Sequence, residues 1–580
     1  MKWVKWNIGS DYNPDYSLEE VCKNRFENLM VTEKDFYKDD DCSFYSIENC
    51  RYSHDIPNHS TDEIILFGDV EIFNLSELSN KYGLEANENS LINLYLICGH
   101  KIFKELNGEY CFSLFDKRKM HLYLVVDALG VKDIFWNYSN NVLTAATDLF
   151  LLESENLKRW NKQYFKDFQN VNGIYTGDET PYSNVFRVSA GHYISINLAT
   201  TEVNKIKYWD LKNLEHTTYF KTEEEYFSKF RNLLVQSIGR RMLPNYNGIA
   251  MSGGLDSTTL FALSKEHIKA SEFLPFSGVF PTLEDCDETD RILHICKMYN
   301  TEPNLVDCDN CGMLINYPDE YPMSYEPYAP ALSSSFTMKI LEFASNNKIV
   351  NLFDGYAADE LLTGTPLTAI DLMKRGRVSS SLRYTKDSSY MFDESIYQSF
   401  IKAFIRKESS GIDVAKTNYL ADKLKDLNSY NKRNIYTQLF YARTFSFLDR
   451  DLAPIYNISL RHPFLDKELI EFIYTIPGEI LLQKGVDKYI IRNGMKDYLP
   501  DSLINKTQKT QHVNLSFKGI NSNWSSIYQD AMRYNHQMFD ETKIGQWGWS
   551  EMLQNFRSGK SFNDEIFTRL CLELWLSDKL

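Results

Sequence analysis

"GIAMSGGLDSTTLFAL", residues 248–263, is the stretch on which the fold turns. A short apolar run, Ile249 to Met251, meets two adjacent glycines, Gly253 and Gly254. The acid Asp256 and the hydroxyl of Ser257 follow, then an apolar segment at helical spacing. Strand, glycine turn and helix together present backbone N–H groups to an anion. Paired glycines let the backbone approach an oxyanion closely and adopt positive φ. The hydroxyls of Ser252 and Ser257 can donate to phosphate oxygens. Asp256 is out of place beside an anion unless a cation lies between them, which points to a bridging Mg²⁺.

Downstream of this turn, strand-like apolar runs alternate with helical stretches. They are Leu274 to Phe280, Asn304 to Asp307 and Ile349 to Phe353. That alternation predicts a parallel sheet covered by helices on both faces. From about residue 390 the spacing is mostly helical. Upstream, the first ~205 residues read as short alternating strands such as Ile64–Phe67, Tyr110–Phe115 and Leu122–Val126. The pattern switches at Thr222, where Tyr226, Phe227, Phe230, Leu233, Leu234 and Ile238 recur three or four apart. Thr222 and Glu225 make a capping box at that helix start. The expected organisation is one domain over 1–205, a linker over 206–221 and a second domain over 222–580.

The 580-residue chain has ordinary globular composition, 43% hydrophobic and 24% charged, and a formal net charge of −16. That charge argues against a general nucleic-acid binder and against an anionic-membrane surface protein. No run of about 18 apolar residues is present and the first residues lack a signal-peptide core, so the expected location is the cytoplasm. Ten cysteines in this length do not make a disulfide scaffold. Cys308-Asp309-Asn310-Cys311 is the one CxxC, without a second pair at zinc-finger spacing. Gly559-Lys560-Ser561 mimics a Walker A ending, but Gln554 stands where the first glycine belongs.

Ser252-Gly253-Gly254-Leu255-Asp256-Ser257 resembles the PP-loop of the asparagine synthetase superfamily. Further segments resemble it in the same order. Phe276–Phe280 with Asp287-Glu288 is similar to the second strand and its helix. Asp354–Gly364 is similar to "SGxGxDExxxG", Arg461–Asp466 to "RxPFLD", and Gly485–Pro500 to "GxxKxxLRxAMxxxLP". The resemblance implies an α/β PP-loop domain (adenine nucleotide α-hydrolase-like) with a largely helical C-terminal part. It implies that ATP is split to AMP and pyrophosphate while a carboxylate is activated as its adenylate. Ser252, Gly253, Gly254, Asp256, Ser257 and Lys488 would bind ATP. Asp256 and Asp359 would hold Mg²⁺, and Lys509 would stand near the reacting phosphate. Ala357 and Ala358 occupy positions that are often glycine in the family.

The amino-terminal region resembles the family's Ntn-type glutaminase, an α+β sandwich, through Phe67–Asn74, Leu106–Phe112, Asp127–Lys132, Gly191-His192 and Tyr208–Asp210. Such a glutaminase uses a cysteine as its mature first residue. Here residue 2 is Lys and the first cysteine is Cys22. The Asn-Gly of the oxyanion hole is replaced by Asp69-Val70, and an acid there repels a developing oxyanion. No glutamine hydrolysis is expected.

The nucleophile is then free ammonia or another amine. Tyr356 lies three residues before Asp359, a feature shared with β-lactam synthetases, where a tyrosine and a downstream glutamate serve the attacking amine. Glu394 is taken as that acid, with Asp387 and Asp393 as alternatives. Lasso-peptide macrolactam cyclases form another branch without the cysteine, and the long helical region and 14% aromatic content suit a peptide substrate. The reading placed first is intramolecular amide formation on a peptide, with a leader-peptide protease as partner. An ammonia-using asparagine synthetase, a β-lactam-type ring closure and an ATP-binding scaffold are the alternatives.

Overall fold

The computed structural model describes residues 2–8, 22, 25, 33–38, 42–48, 58–61, 63–139, 142–152, 159–170, 173, 177–268, 273–322, 324–391, 393–406, 420–441, 447–506, 513–533, 546–558 and 564–579. The amino-terminal region forms two six-stranded antiparallel sheets. The strands are β1 (Lys2–Ile8), β2 (Glu33–Lys38), β3 (Cys42–Glu48), β4 (His59–Ser60), β5 (Ile64–Ile72), β6 (Gly108–Asp116), β7 (His121–Val126), β8 (Phe135–Ser139), β9 (Val142–Ala146), β10 (Phe186–Arg187), β11 (His192–Asn197) and β12 (Glu202–Lys207). Their orders are β10-β8-β9-β1-β3-β2 and β12-β11-β7-β6-β5-β4.

All nine residues of β5 are buried because the period-two alternation serves two cores at once. Ile65 and Phe67 meet Val4, Trp6 and Phe44 of the other sheet. Ile64, Leu66, Val70 and Ile72 face the opposite way, against Leu91, Tyr95 and Phe103 of the covering helices. This is the expected α+β sandwich.

The second region carries a five-stranded parallel sheet of β13 (Asn247–Ala250), β14 (Leu274–Val279), β15 (Asn304–Asp307), β16 (Asn351–Phe353) and β17 (Ser459–Arg461). The order is β15-β14-β13-β16-β17, parallel throughout. The chain runs outward from β13 on one side, then crosses to β16 on the other. The crevice between β13 and β16 is therefore the topological switch point, where open parallel sheets bind ligands beyond their carboxyl ends.

The Glu223–Arg241 helix begins with the expected capping box of Thr222 and Glu225. Among the described residues beyond 390 the regular elements are helical except for β17, three residues too short for any periodicity to announce. The Lys162–Asn170 helix, from the first 205 residues, contributes Tyr164, Phe165 and Phe168 to a core with Trp549, Leu570 and Trp575 of the final helices. Among the described residues no helix is long and apolar enough to cross a membrane.

Buried ion pairs tie the two regions together. Arg241 Nε donates to Glu109 at 2.6 Å, and Arg461 donates to Glu71 at 2.7 Å and to Glu109 at 3.0 Å. Burial pushes the Glu109 carboxyl up, but the two guanidiniums outweigh it and bring its pKa down to about 2.

Candidate active site at the switch point

β13 is held at its start by Asn247, whose side chain bonds Leu243 and receives Asn351 Nδ2 at 2.7 Å. Its last residues lead into Met251 and the glycine turn. Gly253 has φ +70°, a region that a side chain disfavours, and the helix Leu255–Leu263 starts immediately after Gly254. The Ser252 N–H donates to Ser257 Oγ at 3.2 Å, and the two hydroxyls lie 3.3 Å apart. The Gly254 N–H donates to Ser252 Oγ at 3.3 Å. These hydroxyls thus shape the turn that the sequence assigned to phosphate.

The turn after β16 closes onto this one. A Cβ at Gly355 would come within 2.8 Å of the Ser257 nitrogen and 3.0 Å of Asp256 Cβ, so only glycine allows the approach. Ala357 adopts φ +68°, the left-handed conformation that glycine takes freely. The helix Ala358–Leu362 then begins and carries Asp359.

Lys488 joins the two turns. Its Nζ lies 2.7 and 2.6 Å from the two Asp256 oxygens and 2.6 Å from Asp359 Oδ1. Lys488 is buried, and burial alone would depress its pKa. The two carboxylates overcome that and raise it. Two hard carboxylate oxygens converging on one cation suit Mg²⁺ as well as an ammonium. Asp256 and Asp359, expected to share one Mg²⁺, and Lys488, expected to bind ATP, meet here.

Lys509 lies outside the described residues. Its neighbour Lys506 pairs with Glu288 at 2.7 Å, and Glu288 packs beside Gly253. The start of the lysine loop is thereby anchored to the phosphate turn. Asp287 caps the Thr289–Met298 helix region, accepting from Phe280 N at 2.9 Å and Thr289 Oγ1 at 2.8 Å.

Glu394 pairs with Lys402, and its described contacts do not include Tyr356. Asp387 accepts the Lys484 N–H at 2.8 Å. Beside Tyr356 the structure places a different group. The Asp354 N–H donates to the Arg461 carbonyl at 3.1 Å, extending the β16–β17 pairing and setting Asp354 next to His462. His462 Nδ1 is 2.7 Å from Asp354 Oδ1, and Nε2 is 3.0 Å from Asp449 Oδ1. The Tyr356 ring lies 5.3 Å from the His462 ring, and its N–H donates to Asp354 Oδ1 at 3.1 Å.

Burial opposes charge on His462, yet its two carboxylate partners outweigh it and raise the imidazole well above its ordinary value. Burial raises Asp449, against the pull of His462. Asp354 and His462 lie inside the Asp354–Gly364 and Arg461–Asp466 motifs, whose family pattern implies no role for either of them. The available signal was Asp354 itself, standing where the family pattern has serine.

In the first region Asp69, nearly buried, pairs with Lys132 at 2.8 Å. Burial raises the Asp69 carboxyl, but Lys132 more than compensates and holds it below the usual range. The acid expected to repel an oxyanion is thus matched by a local cation. Cys22 is buried beside Trp3 and Ile47, and burial pushes its thiol up, away from nucleophilic use. Cys308 and Cys311 are free thiols.

The profile described as Asparagine synthase matches residues 229–560, and the Glutamine amidotransferase domain profile matches 57–209. A Methanocaldococcus jannaschii relative is 27% identical over 255 residues, 41% of this chain and 47% of its own. Asparagine synthetase (glutamine-hydrolyzing) 2 of Bacillus subtilis is 21% identical across 82% of this chain and 64% of its own. Amidase chry2 of Gibberella zeae is 20% identical across 75% and 74%. The chain thus spans less than two thirds of the length of the first two of these relatives. With the phosphate turn, the paired acids and a profile match over more than half its length, this chain belongs to the asparagine synthase family.

Proposed function

We propose that this protein is an ATP-dependent amide synthetase that activates a substrate carboxylate as its adenylate, releases pyrophosphate, and then joins the acyl group to an amine with loss of AMP. The observation that carries this reading is the convergence of Asp256, Asp359 and Lys488 beside the Gly253 turn at the switch point. A carboxylate attacking the α-phosphorus adds charge to an already anionic triphosphate, and the site must compensate it. Backbone N–H groups of the turn receive the pyrophosphate, and Lys488 is the cation already built into its floor. Asp256 and Asp359 would hold Mg²⁺, which when bound supplies the divalent charge that neutralises the leaving pyrophosphate. Lys509 would add a further positive charge at the reacting phosphate.

The amine does not come from glutamine in this reading. Cys22 is buried, and Asp69, at the position the resemblance assigns to the oxyanion-hole asparagine, is held in an ion pair with Lys132. Tyr356 beside the β16 turn favours an amine carried by the substrate itself. A peptide closing on its own Asp or Glu as a macrolactam is the preferred substrate class, with a leader-peptide protease as partner. The relatives named asparagine synthetases favour a second reading, in which aspartate and free ammonia are the substrates.

The test is AMP release from ATP and Mg²⁺ with aspartate, with and without ammonium, alongside mass spectrometry for asparagine. Asparagine with stoichiometric AMP selects the second reading. AMP formed only with peptides that have a free amino terminus and a nearby Asp or Glu selects the first. No AMP with either class overturns both.

A further inference from the structure

Asp354, His462 and Asp449 come from three separate segments and meet at the carboxyl edge of β16 and β17. His462 is 2% exposed and uses both ring nitrogens, one on each carboxylate. Asp354 spends one oxygen, Oδ1, on His462 and the Tyr356 N–H. Among the described residues Oδ2 has no hydrogen bond, and the side chain is 21% exposed. Gly355, the next residue, is packed on Ser257 and Asp256 of the phosphate turn. The free oxygen of Asp354 therefore belongs to the same crevice as the nucleotide turn, on a strand end that His462 prevents from rotating.

We propose that Asp354 Oδ2 binds the attacking amine as its ammonium and takes its first proton, with His462 as the positioning residue that fixes Asp354 and Asp449 as the anchor of His462. The proposal rests on the amide-synthetase reading and names the base of that same site. Two carboxylates share one imidazolium, so the cluster keeps one negative charge and attracts a cationic amine. Taking one proton makes the cluster neutral. Lys132 is the further charge acting on Asp449, from the first region.

The step balances. One ammonium proton passes to Asp354, and the freed lone pair forms the N–C bond at the acyl carbon. The C–O bond to the AMP phosphate breaks, with its electron pair leaving on AMP. The second nitrogen proton departs as the amide forms and goes to the AMP phosphate or to water. Tyr356, its ring tilted against that of His462, lines the approach.

Hydroxylamine provides the test, because it is uncharged at neutral pH and needs no base before attack. The carboxylate that supports ATP–pyrophosphate exchange in the parent protein is found first, among aspartate, glutamate and peptides bearing them. Amide formation with the amine that the parent uses, and hydroxamate formation with hydroxylamine, are then compared with exchange in the parent, Asp354→Asn and His462→Gln. The expected result is a loss of about 100-fold in amide formation relative to exchange, as for removal of a general base. Hydroxylamine should remove most of that loss, which also shows that the variant is folded.

Equal losses with both nucleophiles, or no loss, overturn the proposal. If Asp354→Asn does not fold, Asp449→Asn carries the same comparison with a smaller expected loss. If the parent shows no exchange with any carboxylate, the amide-synthetase reading fails, and this inference falls with it.

Discussion

Lys488 Nζ lies 2.7 and 2.6 Å from the two oxygens of Asp256, reaching them from a backbone position of φ +50° at the start of its own helix. The same ammonium touches Asp359, so one buried cation keeps two site carboxylates together. Removing one partner of a buried charge cluster costs ~3 kcal/mol. Lys488→Met should therefore lower the urea midpoint, and Mg²⁺ should raise the melting temperature of the variant more than that of the parent. A variant whose stability ignores Mg²⁺ would show that the two carboxylates do not form a cation site.

Asp256→Asn removes one arm of that site. AMP formation from ATP should fall at least ~100-fold, the scale seen when a charge-stabilising group is deleted. AMP release at the parental rate would show that Asp256 takes no part in the reaction.

Ala357 holds a left-handed conformation that costs an L-residue roughly 1–2 kcal/mol. Ala357→Gly relieves this strain and pays back part of the gain in unfolded-state entropy. The expected net change is about 0.5 kcal/mol more stable in urea denaturation. A destabilised Ala357→Gly protein would contradict the strained turn.

Glu109 has a folded pKa of about 2, below its ordinary 4.5. For a depressed acid the unfolded chain binds the proton first. Its contribution, on the order of 3 kcal/mol, is complete above pH 4.5 and is lost as pH falls toward 2. Glu109→Gln should flatten the acid limb of stability between those values, even though the variant is weaker at pH 7. The slope of the unfolding free energy against pH is the measurement, and an unchanged slope refutes the assignment.

Glutamine should yield no glutamate above a denatured control, because the Cys22 thiol is buried and an acid, Asp69, stands where the resemblance places the oxyanion-hole asparagine. Glutamate release at a rate proportional to enzyme would overturn that expectation.

The glycine turn, its strand and its helix were legible because they are one continuous segment. Ile249, Gly253 and Asp256 lie within eight residues, and local geometry dictates their arrangement. The β5 strand was legible for the same reason, since alternate side chains sort themselves onto two faces. The β17 strand was not: Ser459–Arg461 is only three residues long and exists through its pairing with β16.

The candidate site divides in the same way. Asp256, Asp359 and Lys488 were readable as members of ordered motifs, although nothing in their spacing told that one lysine would bridge both acids. The sequence could suggest Glu394 as a partner for Tyr356 by distance along the chain, and the fold pairs Glu394 with Lys402. What the sequence by itself determined is the phosphate turn, the two kinds of sheet and the order of the motifs, because each depends on neighbours along the chain. The tertiary structure alone decided that Asp354, His462 and Asp449 form one cluster. Parallel strands with long crossovers bring together residues about a hundred positions apart, and the register that aligns them is set by packing on both faces of the sheet.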